Sequence, residues 1–125
     1  MLLSSVGYGA DWKLYKTDVI EGSFYYDPQS IKQASKDIEQ VRSKQVYTEK
    51  KVQEYIKAVG PAFKELSYCI GLFEYNCSEK KFRLFSATLY KKNGNVLLNT
   101  PPQPWILVVP ETVSETLFKI VCGSR

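Results

Sequence analysis

Three consecutive stretches decide the fold: Leu66–Asn76 (LSYCIGLFEYN), the polar break Cys77–Lys81 (CSEKK) and Phe82–Lys91 (FRLFSATLYK). Both long runs mix aromatic and aliphatic side chains, which suit a half-buried pleated surface. The break between them reads as a hairpin turn. A second hairpin follows, because Val96–Thr100 folds back through Asn93-Gly94, and both residues of that pair accept positive φ. Pro101-Pro102-Gln103-Pro104 then ends the pairing, since proline has no amide proton to donate. A brief apolar run, Trp105–Val109, comes next.

Upstream, Trp12–Thr17 and Gly22–Asp27 read as short strands, the second closed by a type I turn at Asp27-Pro28-Gln29-Ser30. Ile38–Tyr47 alternates but carries few apolar residues, which predicts an exposed or edge strand. Thr48–Val59 changes period, with Val52, Tyr55, Ile56 and Val59 on one helical stripe. Gly60-Pro61 stops that helix. The last helix spans Thr112–Cys122 and opens on a capping box between Thr112 and Glu115. Its buried stripe is Val113, Leu117, Ile120 and Val121, flanked by Phe118 and facing the side of the sheet that carries Phe73 and Tyr75.

A chain of 125 residues holds one core, so residues 11–125 read as a single α+β domain. Met1–Ala10 is small and apolar, and reads either as a disordered start or as the remnant of a signal peptide. No run approaches the ~20 apolar residues that span a bilayer. The net charge of +4 is a weak bias toward anionic partners, set against an ordinary solvated surface. Histidine is absent, which removes the commonest general base, zinc ligand and partner of a nucleophile. No enzyme and no cofactor is therefore expected.

The three cysteines divide unequally. Cys69 and Cys77 share a face of one strand, and at about 3.3 Å per residue they stand ~26 Å apart, too far to bond. Cys122 can reach only one of them. Cys77 lies at a strand end open to a helix terminus, whereas Cys69 reads as a small apolar residue packed beneath that helix, with Gly71 permitting close approach. A Cys77–Cys122 bond suits an oxidising compartment, and three reduced thiols would suit the cytosol.

The ordered set Asp11-Trp12, Tyr25-Tyr26-Asp27 with Ser30-Ile31, and Tyr75-Asn76-Cys77-Ser78-Glu79-Lys80-Lys81-Phe82-Arg83 resembles the bacterial surface-adhesin protein E family. So do Ser86, Tyr90, Gly94, Pro101-Pro102, Trp105, Pro110, Glu115-Thr116-Leu117 and Val121-Cys122. The resemblance implies an antiparallel sheet of about six strands, with a C-terminal helix on its concave face tied by a Cys77–Cys122 disulfide. It further implies an exported envelope protein, in the periplasm, outer membrane or cell surface. Such a protein binds an extracellular or envelope protein of matrix type and can form a homodimer. Membrane attachment would come only from an anchor outside this chain. Cys69 and the Thr48–Val59 segment depart from the family pattern.

The remaining motifs carry little. Ser78-x-x-Lys81 copies a penicillin-binding-protein pattern, but it falls in a turn rather than at a helix start. Asn76-Cys77-Ser78 matches a glycosylation sequon whose middle residue is otherwise engaged. The carboxylates show no paired or metal-ligand spacing. Basic pairs without an RNA-binding aromatic signature argue against nucleic acid. The candidate binding surface is Tyr75 with Lys80, Lys81 and Arg83, meeting an acidic partner. A cavity between sheet and helix would instead favour a periplasmic carrier or sensor of a small apolar molecule.

Overall fold

A computed structural model describes residues 11–123, and the reading of Met1–Ala10 lies outside them. Along the chain come β1 (Lys13–Asp18), β2 (Gly22–Tyr26), β3 (Lys32–Ser35), β4 (Ile38–Val46) and α1 (Glu49–Val59). β5 (Leu66–Asn76), β6 (Lys81–Lys91), β7 (Val96–Thr100), β8 (Ile106–Leu107) and α2 (Val113–Cys122) follow. The strands form one sheet ordered β1-β2-β4-β5-β6-β7, with β3 added to β4 and β8 to β6. Every pairing is antiparallel. The six-strand path agrees with the expected α+β sheet, and β3 and β8 extend it to eight strands. β3, Lys-Gln-Ala-Ser, is exposed throughout, so no apolar alternation marks it.

β4 is interior, not an edge. It pairs with β5 from Ile38↔Asn76 to Val46↔Tyr68, and its other side is shared by β3 and β2. Its apolar signal is thin because only one face is covered by helices. On that inner face Val41 is fully buried and Ser43 nearly so. On the outer face Arg42 and Lys44 lie about the Trp12 ring at 5.9 and 6.0 Å, and Lys44 sits 4.9 Å over Tyr68. Rings and cationic stems cover what a helix would otherwise cover.

The turns follow their residues closely. The Asp27 carboxylate accepts the Gln29 N–H at 3.0 Å and caps a short 3-10 turn at Pro28–Ser30. At Asn93-Gly94 only the glycine takes positive φ, at 88°. The Gly94 N–H donates to the Lys91 carbonyl (2.9 Å) and the Lys91 N–H to that of Asn95 (2.8 Å). That is a type I turn with a left-handed glycine, not the two-residue primed turn. Gly22 is obligatory for space, because a Cβ there would lie 1.9 Å from the Val46 carbonyl oxygen.

Two separate cores lie on the inner face. In one, Leu117, Val121 and Cys122 of α2 pack on Tyr26, Val41 and Tyr75, with Phe73 and Phe118 alongside. In the other, Val52 of α1 and Phe63 of a 3-10 turn (Pro61–Glu65) pack on Leu66 and Leu89. Cys77 and Cys122 are bonded with their Cα atoms 5.6 Å apart, and Cys69 is a free thiol. Cys69 packs with the α1 core rather than beneath α2. The crowding at Gly71 comes from Leu84 and Ser86 of β6, not from a helix. Ile120, expected in the buried stripe, is 37% exposed. At the N-cap, Thr112 Oγ1 accepts the Glu115 N–H (3.2 Å), while the Glu115 carboxylate takes the N–H of Glu111 (2.9 Å). The box closes one residue early, where Glu111 adopts φ 65°.

Leu117 is 1% exposed at the centre of the α2 contact. Leu117→Ala is expected to lower unfolding free energy by about 2–5 kcal/mol in urea titration, the range for a buried leucine. An effect within about 0.5 kcal/mol, as at a surface site, would contradict that packing. On the outer face, Arg83 holds Glu74 through Nη2 and Nε, both at 2.8 Å, and Gln40 donates to the second carboxylate oxygen at 2.7 Å. Glu74 is 7% exposed. Arg83→Met strands that carboxylate and is expected to cost about 3 kcal/mol, whereas Arg83→Met with Glu74→Leu regains most of it. Equal losses in the single and double variants would show that the pair contributes only packing.

Candidate functional site

The structure separates the four residues expected to form a binding surface. Tyr75 is 1% exposed beneath α2 and donates its hydroxyl to the Ser114 carbonyl at 3.0 Å. It belongs to the interior, because alternation along β5 puts it on the inner face while Glu74 faces outward. Arg83 is committed to Glu74 and lies 4.8 Å over the Trp105 ring and 5.2 Å from that of Phe85. Lys81 stands 3.5 Å from Glu79. Lys80 is exposed in the turn with φ 54°, and its carbonyl accepts the Val108 N–H at 2.9 Å, which ties β8 to the hairpin. Lys80 and Lys81 are neighbours in the turn, but Tyr75 is not part of their surface.

A cavity of about 460 Å³ opens between the two cores. Its floor follows from strand register: Ser43 pairs with Gly71, Gly71 with Ala87, and Ala87 with Thr100. Four small residues thus cross four neighbouring strands in one row, leaving a trough where larger side chains would meet. Tyr55, Val59 and Phe63 wall it on the α1 side, and Val113, Ser114 and Leu117 on the α2 side. This row was readable only with the register in hand, since its members are dispersed through the chain.

The lining is neutral. Burial pushes the Tyr15 and Tyr47 hydroxyls far above the usual phenol range, with the Cys69 thiol adding to the effect. Burial likewise raises Tyr75, with Tyr15 beside it. Cys69 is raised by burial, an effect opposed by hydrogen bonds from the Tyr47 side chain and the Gln45 backbone. These groups stay protonated at neutral pH, so they offer hydrogen bonds and no charge.

The outer face has a different chemistry. Tyr68 stacks on Tyr90 with ring centroids 4.8 Å apart, Lys44 lies over Tyr68, and Trp12 receives both Lys44 and Arg42. The result is a half-exposed array of rings and cations. Among the described residues no group of three or more His, Cys, Asp or Glu side chains could hold a metal ion. No helix among them is long and apolar enough to cross a membrane.

Comparison with known proteins agrees with this architecture. A structure of Haemophilus influenzae protein E in its second crystal form superimposes with a TM-score of 0.53 at 16% identity, covering 92% of this chain and 98% of that one. Another structure of Haemophilus influenzae protein E gives 0.55 at 16% identity, covering 98% and 89%. A protein E structure from non-typeable Haemophilus influenzae gives 0.52 at 14% identity, covering 97% and 80%. Identities this low establish a shared fold. No curated protein matches the chain. The family described as surface-adhesin protein E matches residues 12–123, almost the whole of the described chain, and the protein belongs to that family.

Proposed function

We propose that this chain is an exported cell-envelope protein that holds an extracellular or envelope protein by surface binding, without catalysis. The reading puts it in the periplasm, outer membrane or cell surface, with acidic matrix-type proteins as partners and a second copy of itself as a further one. The observation that carries it is the outer face, where Trp12, Lys44, Tyr68 and Tyr90 present stacked rings and a cation on a rigid sheet. Tyr, Trp and Arg side chains on a fixed scaffold are what protein interfaces favour at their centres, and Tyr68, Tyr90, Trp12 and Arg42 supply them here. Catalysis is left out because the sequence has no histidine to act as base or to activate a nucleophile. Lys80 and Lys81 at the hairpin turn add long-range attraction for an acidic partner. The cavity supports a second reading, a carrier or sensor of a small apolar molecule.

Binding to a panel of immobilised extracellular-matrix proteins separates the two surfaces. Tyr68→Ala with Lys44→Ala is expected to weaken binding about tenfold or more, mainly through faster dissociation, as at interface centres. Lys80→Glu with Lys81→Glu is expected to slow association and to remove its salt dependence. Parent-like binding by the first variant would overturn the outer-face assignment.

A further inference from the structure

We propose that the inner-face cavity is a binding site for an uncharged, ring-bearing small molecule with one hydrogen-bonding group, which Ser43 receives. The proposal rests on the carrier reading and names the class of its ligand. A volume of about 460 Å³ falls within the ~300–1,000 Å³ typical of small-molecule sites. The space is built by the fold, because the small-residue row keeps the two cores apart.

The lining selects the chemistry. The chain carries 17 basic and 13 acidic residues, yet every side chain lining the cavity is uncharged. A charged ligand would lose its hydration there without a counter-ion, which costs far more than burying a neutral group. Aromatic side chains dominate the walls. Tyr55 stacks on Phe63 at 5.7 Å and meets Tyr47 edge-on at 5.7 Å. A flat ring entering beside them finds both faces and edges at stacking distance, a match that a flexible alkyl chain cannot make.

Ser43 supplies the polar contact. It is 8% exposed, it lines the cavity floor, and among the described residues its hydroxyl has no hydrogen-bond partner. A buried hydroxyl without a partner is uncommon, and a ligand group placed over the row would satisfy it. The Gln45 carboxamide beside it is already oriented, donating to the Glu21 carbonyl at 2.9 Å.

The test uses the whole chain with two fluorescent probes of one ring skeleton, N-phenyl-naphthylamine, which is uncharged, and its sulfonated analogue. The neutral probe is expected to saturate at one per chain and to slow labelling of Cys69 by a maleimide. The sulfonate is expected to bind about tenfold more weakly or worse, because its charge is stranded. Naphthol should displace the neutral probe about fivefold better than naphthalene, the worth of one neutral hydrogen bond. That preference should vanish in Ser43→Ala. Failure of both probes to bind would overturn the carrier reading and this inference together. Equal binding of the two probes at the Cys69-protected site would leave the carrier reading standing and overturn the neutral class. A naphthol preference retained in Ser43→Ala, or better displacement by a long-chain alcohol than by naphthol, would overturn the assignment of Ser43 or of the ring.

Discussion

Helix α2 has only ten residues, too few to hold a helix alone in water, and it is kept in place at both ends. At its start the Tyr75 hydroxyl, rising from the middle of the sheet, binds the Ser114 carbonyl. At its end the Cys77–Cys122 bond ties it to the β5–β6 hairpin. A loop of 45 residues closed by a disulfide is worth about 4 kcal/mol on the chain-entropy account. That is close to the whole net stability of a small domain. The core beneath α2 depends on this clamp, because Leu117 and Val121 pack with Tyr26 and Val41 only while α2 lies across the sheet.

Two short helical covers on one face leave its middle uncovered. The α1 unit closes one end over Leu66 and Leu89, and α2 closes the other over Val41 and Tyr75. Between them the row Ser43, Gly71, Ala87 and Thr100 presents no side chain long enough to fill the gap. The outer face solves its exposure differently, by laying cations across rings. One sheet therefore offers a neutral trough on one side and a charged aromatic surface on the other. On the proposed function, the two suit different ligands.

Much of this fold was legible in the residues. The two hairpins, the Val52, Tyr55 and Ile56 part of the first helical stripe and the Thr112 cap each depend on short-range chemistry and stand where the pattern put them. Val59, expected on the same stripe, is instead 60% exposed. The pairing of Cys77 rather than Cys69 with Cys122 followed from strand rise and the family resemblance. The misreadings share one cause, which is that single-strand patterns do not show what lies on each face. β4 looked like an edge because Arg42 and Lys44 fill positions that rings from Trp12 and Tyr68 cover. Tyr75 reads both as a residue beneath the last helix and as part of the basic turn it neighbours in sequence. Alternation turns it inward, so only the first placement holds. Ile120 fell on the apolar stripe, but α2 meets the sheet through a narrower line. The cavity was legible least of all, since it arises from register among four strands.

The clamp on α2 is tested most directly by amide hydrogen exchange on the oxidised protein and on protein whose disulfide has been reduced. Reduction is expected to strip protection from the amides of Leu117–Cys122 while the central amides of β4, β5 and β6 keep theirs. Protection of α2 that survives reduction unchanged would contradict the account, because the helix would then be held by its packing alone.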